Sequence, residues 1–223
     1  AHVFEWNGAE VRQANYQGDA GLHVAKAIWG ILKGEKDPYV FGTKAYDGND
    51  KAKEEIQEIN KRIYDKSDPE INKVYKKGRQ TSLDEFEKIY KRLGSKFDYY
   101  FFESETSEVG KKIVLENMKG LPAGRQVFEK GEGGAIVFRG EKFDPSLHTR
   151  VFINSQGLPT YEAKDLGNAK NKYDKYHYDF SVVVTGNEIK DYFKVVLEAM
   201  KQVLPELAKK TKHLPHGMLR LAT

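Results

Sequence analysis

Tyr161 and Asp165 stand four residues apart, so on a helix a phenol and a carboxylate leave the same face. That pair suits a cationic ligand. An ionised carboxylate accepts two parallel charge-assisted hydrogen bonds from a guanidinium, and a tyrosine ring offers the planar group a flat partner. The same spacing also fits a Tyr161 packed into a core and an Asp165 turned toward Lys164, Lys170 or water. Thr185-Gly186-Asn187-Glu188 follows an apolar β-branched run and opens a helical pattern. Unpaired backbone N–H groups at such a place cradle a phosphate or ribose, and Glu188 can accept from sugar hydroxyls. An ordinary strand-to-helix turn with an acid in its first turn reads the same way. Gly18-Asp19-Ala20-Gly21 is a third turn of this kind.

Other chemistries lack their residues. The chain has no cysteine, which removes disulfides, thiolate metal sites and thiol nucleophiles. No GxGxxG, GxxxxGK[ST] or GxSxG occurs, so dinucleotide enzymes, P-loop ATPases and serine hydrolases lose their support. The six histidines form no HExxH, and His213 and His216 straddle Pro215, which keeps a regular helix from placing both on one face. No protein-bound metal is expected. Lys73-Val74-Tyr75-Lys76-Lys77 with Arg79, and Lys88-Ile89-Tyr90-Lys91-Arg92, interleave basic and aromatic residues; they read either as RNA contacts or as solvated helix faces.

These turns need elements to hold them. With 223 residues, 39% hydrophobic and 31% charged, the chain has apolar material for one full core or two small ones. The net charge of +4 is compatible with a polyanionic partner. No apolar run is long enough to cross a bilayer and no leader pattern opens the chain, which reads as soluble and cytoplasmic. The first residues are already periodic and the last, Gly217 to Thr223, run on in an extended apolar pattern, so the chain reads as part of something longer.

A short extended stretch from Val11 to Tyr16 precedes Asp19, placed to cap a helix whose Ala25, Ile28, Trp29 and Leu32 recur at helical spacing until Gly34. From Glu35 to Lys96, 28 of 62 residues are charged, which predicts solvated helices. One covers Asp50 to Tyr64, a second starts at Asp68-Pro69, and a third starts at a Ser82-to-Glu85 capping box and stops before Gly94. Phe97 to Glu103 reads as a strand, Glu105 to Met118 as a helix, 121–126 as a loop without assigned function, and Gly134 to Gly140 as a strand between glycines. The last third reads β-α-β-α-β, the pattern of a parallel sheet with crossover helices. Its elements are a strand at Thr149–Asn154, a helix at Tyr161–Tyr173, a strand of the fully buried kind at Phe180–Thr185, a helix carrying Phe193 to Leu207, and a final strand from His213.

Three runs together resemble one family. Asn15-Tyr16-Gln17-Gly18-Asp19-Ala20-Gly21-Leu22-His23, the block Val151 to Gly167 (VFINSQGLPTYEAKDLG) and His213-Leu214-Pro215-His216-Gly217-Met218 are similar, in order and spacing, to the class I arginyl-tRNA synthetases. Phe101-Glu103-Ser104 and Gly134 to Phe138 add to the likeness, which extends over nearly the whole chain.

The resemblance implies a Rossmann-like α/β catalytic domain, interrupted by a mainly helical charged insertion: residues 1–34 and 149–223 form the two parts of the core, and 35–148 the inserted region. It implies activation of arginine with ATP to arginyl-adenylate and transfer to tRNA(Arg), with Mg2+ accompanying ATP and a monomeric intact enzyme. Such chemistry depends on positioning and charge stabilisation rather than on a protein nucleophile. By the family pattern Tyr161 and Asp165 hold the arginine side chain, Gly186, Asn187, Glu188, His213, Gly217 and Met218 border the adenosine, and Gly18, Asp19, Gly21 and His23 belong to a motif near the active site. The HIGH-type and KMSKS-type signatures that contact ATP phosphates in class I enzymes are not in these 223 residues, so the chain alone is expected not to activate arginine. The alternatives are a non-catalytic module that binds nucleotide or RNA, and a class I ligase for another amino acid.

Overall fold

A computed structural model describes residues 1–119 and 126–217. After α1 (His2–Trp6), strand β1 (Ala14–Gln17) leads into α2 (Leu22–Leu32), where Ala25, Ile28 and Trp29 are buried as their spacing predicts. Leu32, expected on that face, is exposed. The charge-rich segment then folds as α3 (Pro38–Gly48), α4 (Asp50–Asp65) and α5 (Pro69–Leu93). The periodicity did not reveal α3, because its one buried residue is Gly42 and no apolar stripe marks it. Ile56, Ile59 and Ile63 of α4 and Ile71 of α5 join Ala25, Ile28 and Trp29 in one core.

Asp68 caps α5 as expected, its carboxylate accepting from the N–H groups of Glu70 and Ile71. The third helix expected from Ser82 is instead the second half of α5. Gln80 donates to Asp84 and Lys88 to Glu85 within one helical surface, so the acid that would have completed a capping box is engaged with the next turn. Strand β2 (Tyr99–Phe102) then pairs in parallel with β1, from Ala14 opposite Tyr99 to Gln17 opposite Phe102.

The chain divides into two compact units, 1–104 and 105–223. Helix α6 (Glu103–Glu116) starts at the boundary. In the second unit β3 (Glu129–Lys130), β4 (Ile136–Arg139) and β5 (Thr149–Ile153) form an antiparallel sheet. They are followed by α7 (Tyr161–Lys175), β6 (Ser181–Gly186), α8 (Lys190–Val203), α9 (Pro205–Lys210) and β7 (Thr211–His216). Pro205 separates α8 from α9, as its missing N–H requires. Phe128, Phe138 and Phe152 are completely buried and meet with ring centroids 4.9–6.0 Å apart at the centre of this unit's core.

The β-α-β-α-β order of the last third is present, and the class is Rossmann-like α/β. Its parallel pairing is made by β6 and β7, while β5 pairs antiparallel with β4. Strand β6 also departs from the doubly buried strand that its apolar run implies. Val184 is 60% exposed beside Leu214 at 52%, because α8 covers one face of this two-stranded sheet, where Phe193 stacks on His213. Among the described residues no helix is long and apolar enough to cross a membrane.

Candidate active site

The turn before α7 is built by side chains. The Asn154 carboxamide oxygen accepts from the N–H groups of Gln156 and Leu158, at 3.0 Å each, and the Thr160 hydroxyl donates to the Val151 and Phe152 carbonyls. Leu158 is buried, and Pro159 bridges back to Ile153. This fold-back fixes where α7 begins, and Tyr161, its first residue, is left 54% exposed. The opposite side of α7 packs backbone to backbone on α6. A Cβ on Gly167 would lie 2.2 Å from the Thr106 carbonyl oxygen, and one on Gly110 would lie 1.9 Å from that of Ala163. Only glycine allows that approach.

Asp165, one turn beyond Tyr161, is half-buried and accepts a 2.5 Å hydrogen bond on Oδ2 from the Tyr192 hydroxyl of α8. Lys170 pairs with Asp174, and the ammonium of the buried Lys164 lies 5.1 Å from the centre of the Tyr161 ring. Two turns along, Lys172 donates to the Ser181 hydroxyl. Burial pushes its ammonium below the ordinary lysine value, and the Asp165 carboxylate works against that shift. The Arg150 guanidinium sits 5.5 Å from the centre of the Tyr192 ring and 3.5 Å from the buried Glu162 carboxylate. Tyr161, Asp165, Asn168 and Lys172 thus follow one another at helical spacing, and the Asn168 amide oxygen is buried without a hydrogen bond. Tyr192 and Arg150 were not singled out in the sequence. Their positions, 27 and 15 residues from Asp165, carry no local signal.

At the end of β6 the structure gathers a second group. The Thr185 hydroxyl lies 2.7 Å from His213 Nε2, and Gly186 is opposite His216 in the parallel register. Burial pushes the His213 imidazole below its ordinary value of 6.5, which favours the neutral ring. Asn187 and Glu188 start a short 3-10 turn (Asn187–Ile189) and are exposed; the Glu188 carboxylate folds back over the Gly186 α-carbon. Gly217 follows β7 and is exposed, whereas Met218 lies outside the described residues.

In the first unit the Gly18-Asp19 turn has its own partners. Asp19 does not cap α2, whose N-cap position is Gly21 with no side-chain cap. Its carboxylate accepts instead from the Ser104 N–H at 2.8 Å, the Ser104 hydroxyl at 2.7 Å, Arg79 Nε at 2.7 Å and the Tyr75 hydroxyl at 3.2 Å. It caps a helix, but the one 85 residues later. The Arg79 guanidinium also lies 3.9 Å from the centre of the Phe102 ring. Burial, then the Asp19 charge, raises the Tyr75 hydroxyl to about 12. His23 Nε2 lies 3.1 Å from the Gly18 carbonyl oxygen.

The family model described as tRNA synthetases class I (R), catalytic domain, matches residues 1–221. The chain belongs to that family. It is similar to the arginine–tRNA ligase of Borreliella afzelii (strain PKo), 29% identical over 235 residues, which cover 96% of this chain and 39% of that protein. The arginine–tRNA ligase of Treponema denticola is 29% identical over 238 residues, 99% of this chain and 39% of that protein. The chain therefore spans about two fifths of the length of these relatives. Among solved structures, arginyl-tRNA synthetase from Plasmodium falciparum superposes with a TM-score of 0.69 at 19% identity, covering 96% of this chain and 37% of that one. The Thermus thermophilus arginyl-tRNA synthetase gives 0.57 at 18% identity, covering 97% and 43%. These two likenesses concern the fold. For the Mg2+ that the family pairs with ATP, the described residues offer no group of three or more His, Asp or Glu side chains as a seat.

Proposed function

We propose that the chain is the arginine-recognising part of an arginine–tRNA ligase catalytic domain. In this reading Asp165 and Tyr161 hold the guanidinium of L-arginine, and Gly186, Asn187, Glu188, His213, Gly217 and Met218 border the adenosine of ATP. The observation that carries it is the Asp165 carboxylate, oriented by the Tyr192 hydroxyl of a neighbouring helix, on the same helical face as the exposed Tyr161. A carboxylate and a ring at this spacing match the charge and the planarity of a guanidinium at once. Adenylation and transfer to tRNA(Arg) are the activity of the complete enzyme, presented with ATP and Mg2+ from solution. The positioning residues bind and orient the substrates, and no side chain forms a covalent intermediate.

Two measurements test this reading. Calorimetry with arginine, lysine, citrulline and glutamine, on the chain joined to the residues that flank it in its reading frame, should rank arginine first; equal binding of lysine would assign the pocket to another amino acid. Arginine-dependent pyrophosphate exchange should be absent from the 223 residues alone and present once the flanks are joined. Arginine binding without exchange in the joined form would favour the non-catalytic alternative.

A further inference from the structure

The second half of α5 leaves an apolar stripe on the surface of the first unit. Phe86, Ile89 and Leu93 stand at i, i+3 and i+7 on one helix face and are 42%, 49% and 70% exposed. Earlier in the helix the same face is in use: Ile71 is buried in the core and the Tyr75 hydroxyl donates to Asp19. Tyr90, the next side chain round the helix, fixes its rotation. Its hydroxyl accepts from the Asn15 amide at 2.7 Å and the Gln17 amide at 3.3 Å, and its ring meets Phe97 edge-on with centroids 5.0 Å apart. With Tyr90 anchored to β1, the stripe is turned outward. The charges of this segment sort by the same helical spacing. Glu85 and Arg92, seven residues apart and both exposed, border the stripe on the side away from Tyr90. Glu85 pairs with the exposed Lys88 of its own helix, and Arg92 is in no ion pair among the described residues. Asp84, Glu87, Lys88 and Lys91 leave the helix away from the stripe, where Asp84 accepts from Gln80 and Glu87 from Tyr100. Lys96 and Asp98, of opposite sign, come after the helix has ended at Gly94.

We propose that this face of α5 is the seat of a second copy of the chain, packed antiparallel about a two-fold axis at Ile89. That axis brings Phe86 of one copy beside Leu93 of the other and Ile89 against its own counterpart. It also brings Glu85 of each copy beside Arg92 of the other, because the midpoints of 85 and 92 and of 86 and 93 fall on either side of residue 89. The stripe and its bordering charges are thus self-complementary in one arrangement. A parallel pair would set Glu85 level with Glu85 and Arg92 level with Arg92, and like charges would oppose it. One helix face is a small interface, at or below the low end of about 1,200 Å² for specific complexes, so the association is weak and reversible. This differs from the monomer that the family resemblance implies. None of these residues belongs to the Asp165 group, so the outcome is independent of arginine recognition.

Sedimentation velocity from about 5 µM to about 500 µM tests this, on the chain alone and on the chain joined to the residues that flank it in its reading frame. In both, the average mass should rise with concentration toward twice that of the monomer. Ile89→Lys should leave a monomer throughout. Glu85→Arg and Arg92→Glu, each alone, should weaken association by about tenfold or more, since each sets like charges against one another twice in a two-fold interface. An equal mixture of these two variants should associate again, because one copy then carries only bases at the two bordering positions and the other only acids. If either charge variant loses its helix by circular dichroism, Ile89→Cys decides. It places a single thiol in a chain without cysteine, and oxidation with copper-phenanthroline should cross-link it to a dimer far faster than Lys91→Cys on the other side of the helix. A monomer at every concentration overturns the proposal, as does a dimer unmoved by Ile89→Lys, a mixture no tighter than its two components, or equal cross-linking at both positions. A dimer of the chain alone that is lost when the flanks are joined assigns this face to the protein's own flanking residues and overturns it equally.

Discussion

Two aspartates on the family's recognisable segments sit in opposite settings. Asp19 in the first unit has a side chain only 6% exposed, and four donors from Ser104, Arg79 and Tyr75 surround it. Asp165 in the second unit is half-buried, oriented by a phenol and set one turn from an exposed ring. A carboxylate enclosed with a guanidinium from its own chain is committed to the fold, and its removal strands a buried charge. In the proposed reading the Asp165 carboxylate, held on its helix by a hydroxyl, meets a charge brought from outside. Motif membership alone does not separate these settings. Burial and partners do.

The largest break in that comparison should come from Asp19→Ala. It leaves Arg79 partly buried without its carboxylate and removes the cap of α6, and should cost about 3–5 kcal/mol of stability, read from urea unfolding. A loss below about 1 kcal/mol would mean that the network is as solvated as a surface ion pair. Gly167→Ala should follow at about 1–3 kcal/mol, since its methyl meets the Thr106 carbonyl 2.2 Å away and α7 must shift on α6. The same variant should weaken arginine binding, because Asp165 moves with its helix. By contrast Asp165→Asn, which keeps an oxygen for Tyr192, should change stability by no more than about 1 kcal/mol in the same unfolding experiment.

The smallest effect concerns pH. Burial lowers the folded-state value of His213 below 6.5, so on acidification the unfolded chain takes up a proton before the folded chain does. Stability held at neutral pH should therefore fall as pH drops from about 6.5 through the lower folded-state value. His213→Gln should show a shallower fall over that window, and an equal slope in both proteins would show that His213 contributes nothing to it.

Local patterns made much of this legible. The apolar spacing of Ala25, Ile28 and Trp29 marked α2, Asp68-Pro69 marked the start of α5, and the β-branched run before Gly186 marked β6, because each signal lies within a few residues. Non-local features were not legible. Asp19 finds Arg79 and Ser104 at 60 and 85 residues' distance, and Tyr192 reaches Asp165 across 27. The helix α3 is held by the approach of Gly42 to Lys26 rather than by an apolar stripe, and Val184 is exposed because of which faces α8 covers. In each case the deciding partner is chosen by packing, which no window of sequence contains.

The central claim is that the Asp165 charge selects the guanidinium, and arginine against its neutral isostere citrulline tests that most directly. Calorimetric affinities on the chain with its flanks joined should favour arginine by about tenfold to a hundredfold, the range of a charge-assisted pair. In folded Asp165→Asn that preference should collapse toward one. An arginine preference that survives intact in the folded variant would contradict the account.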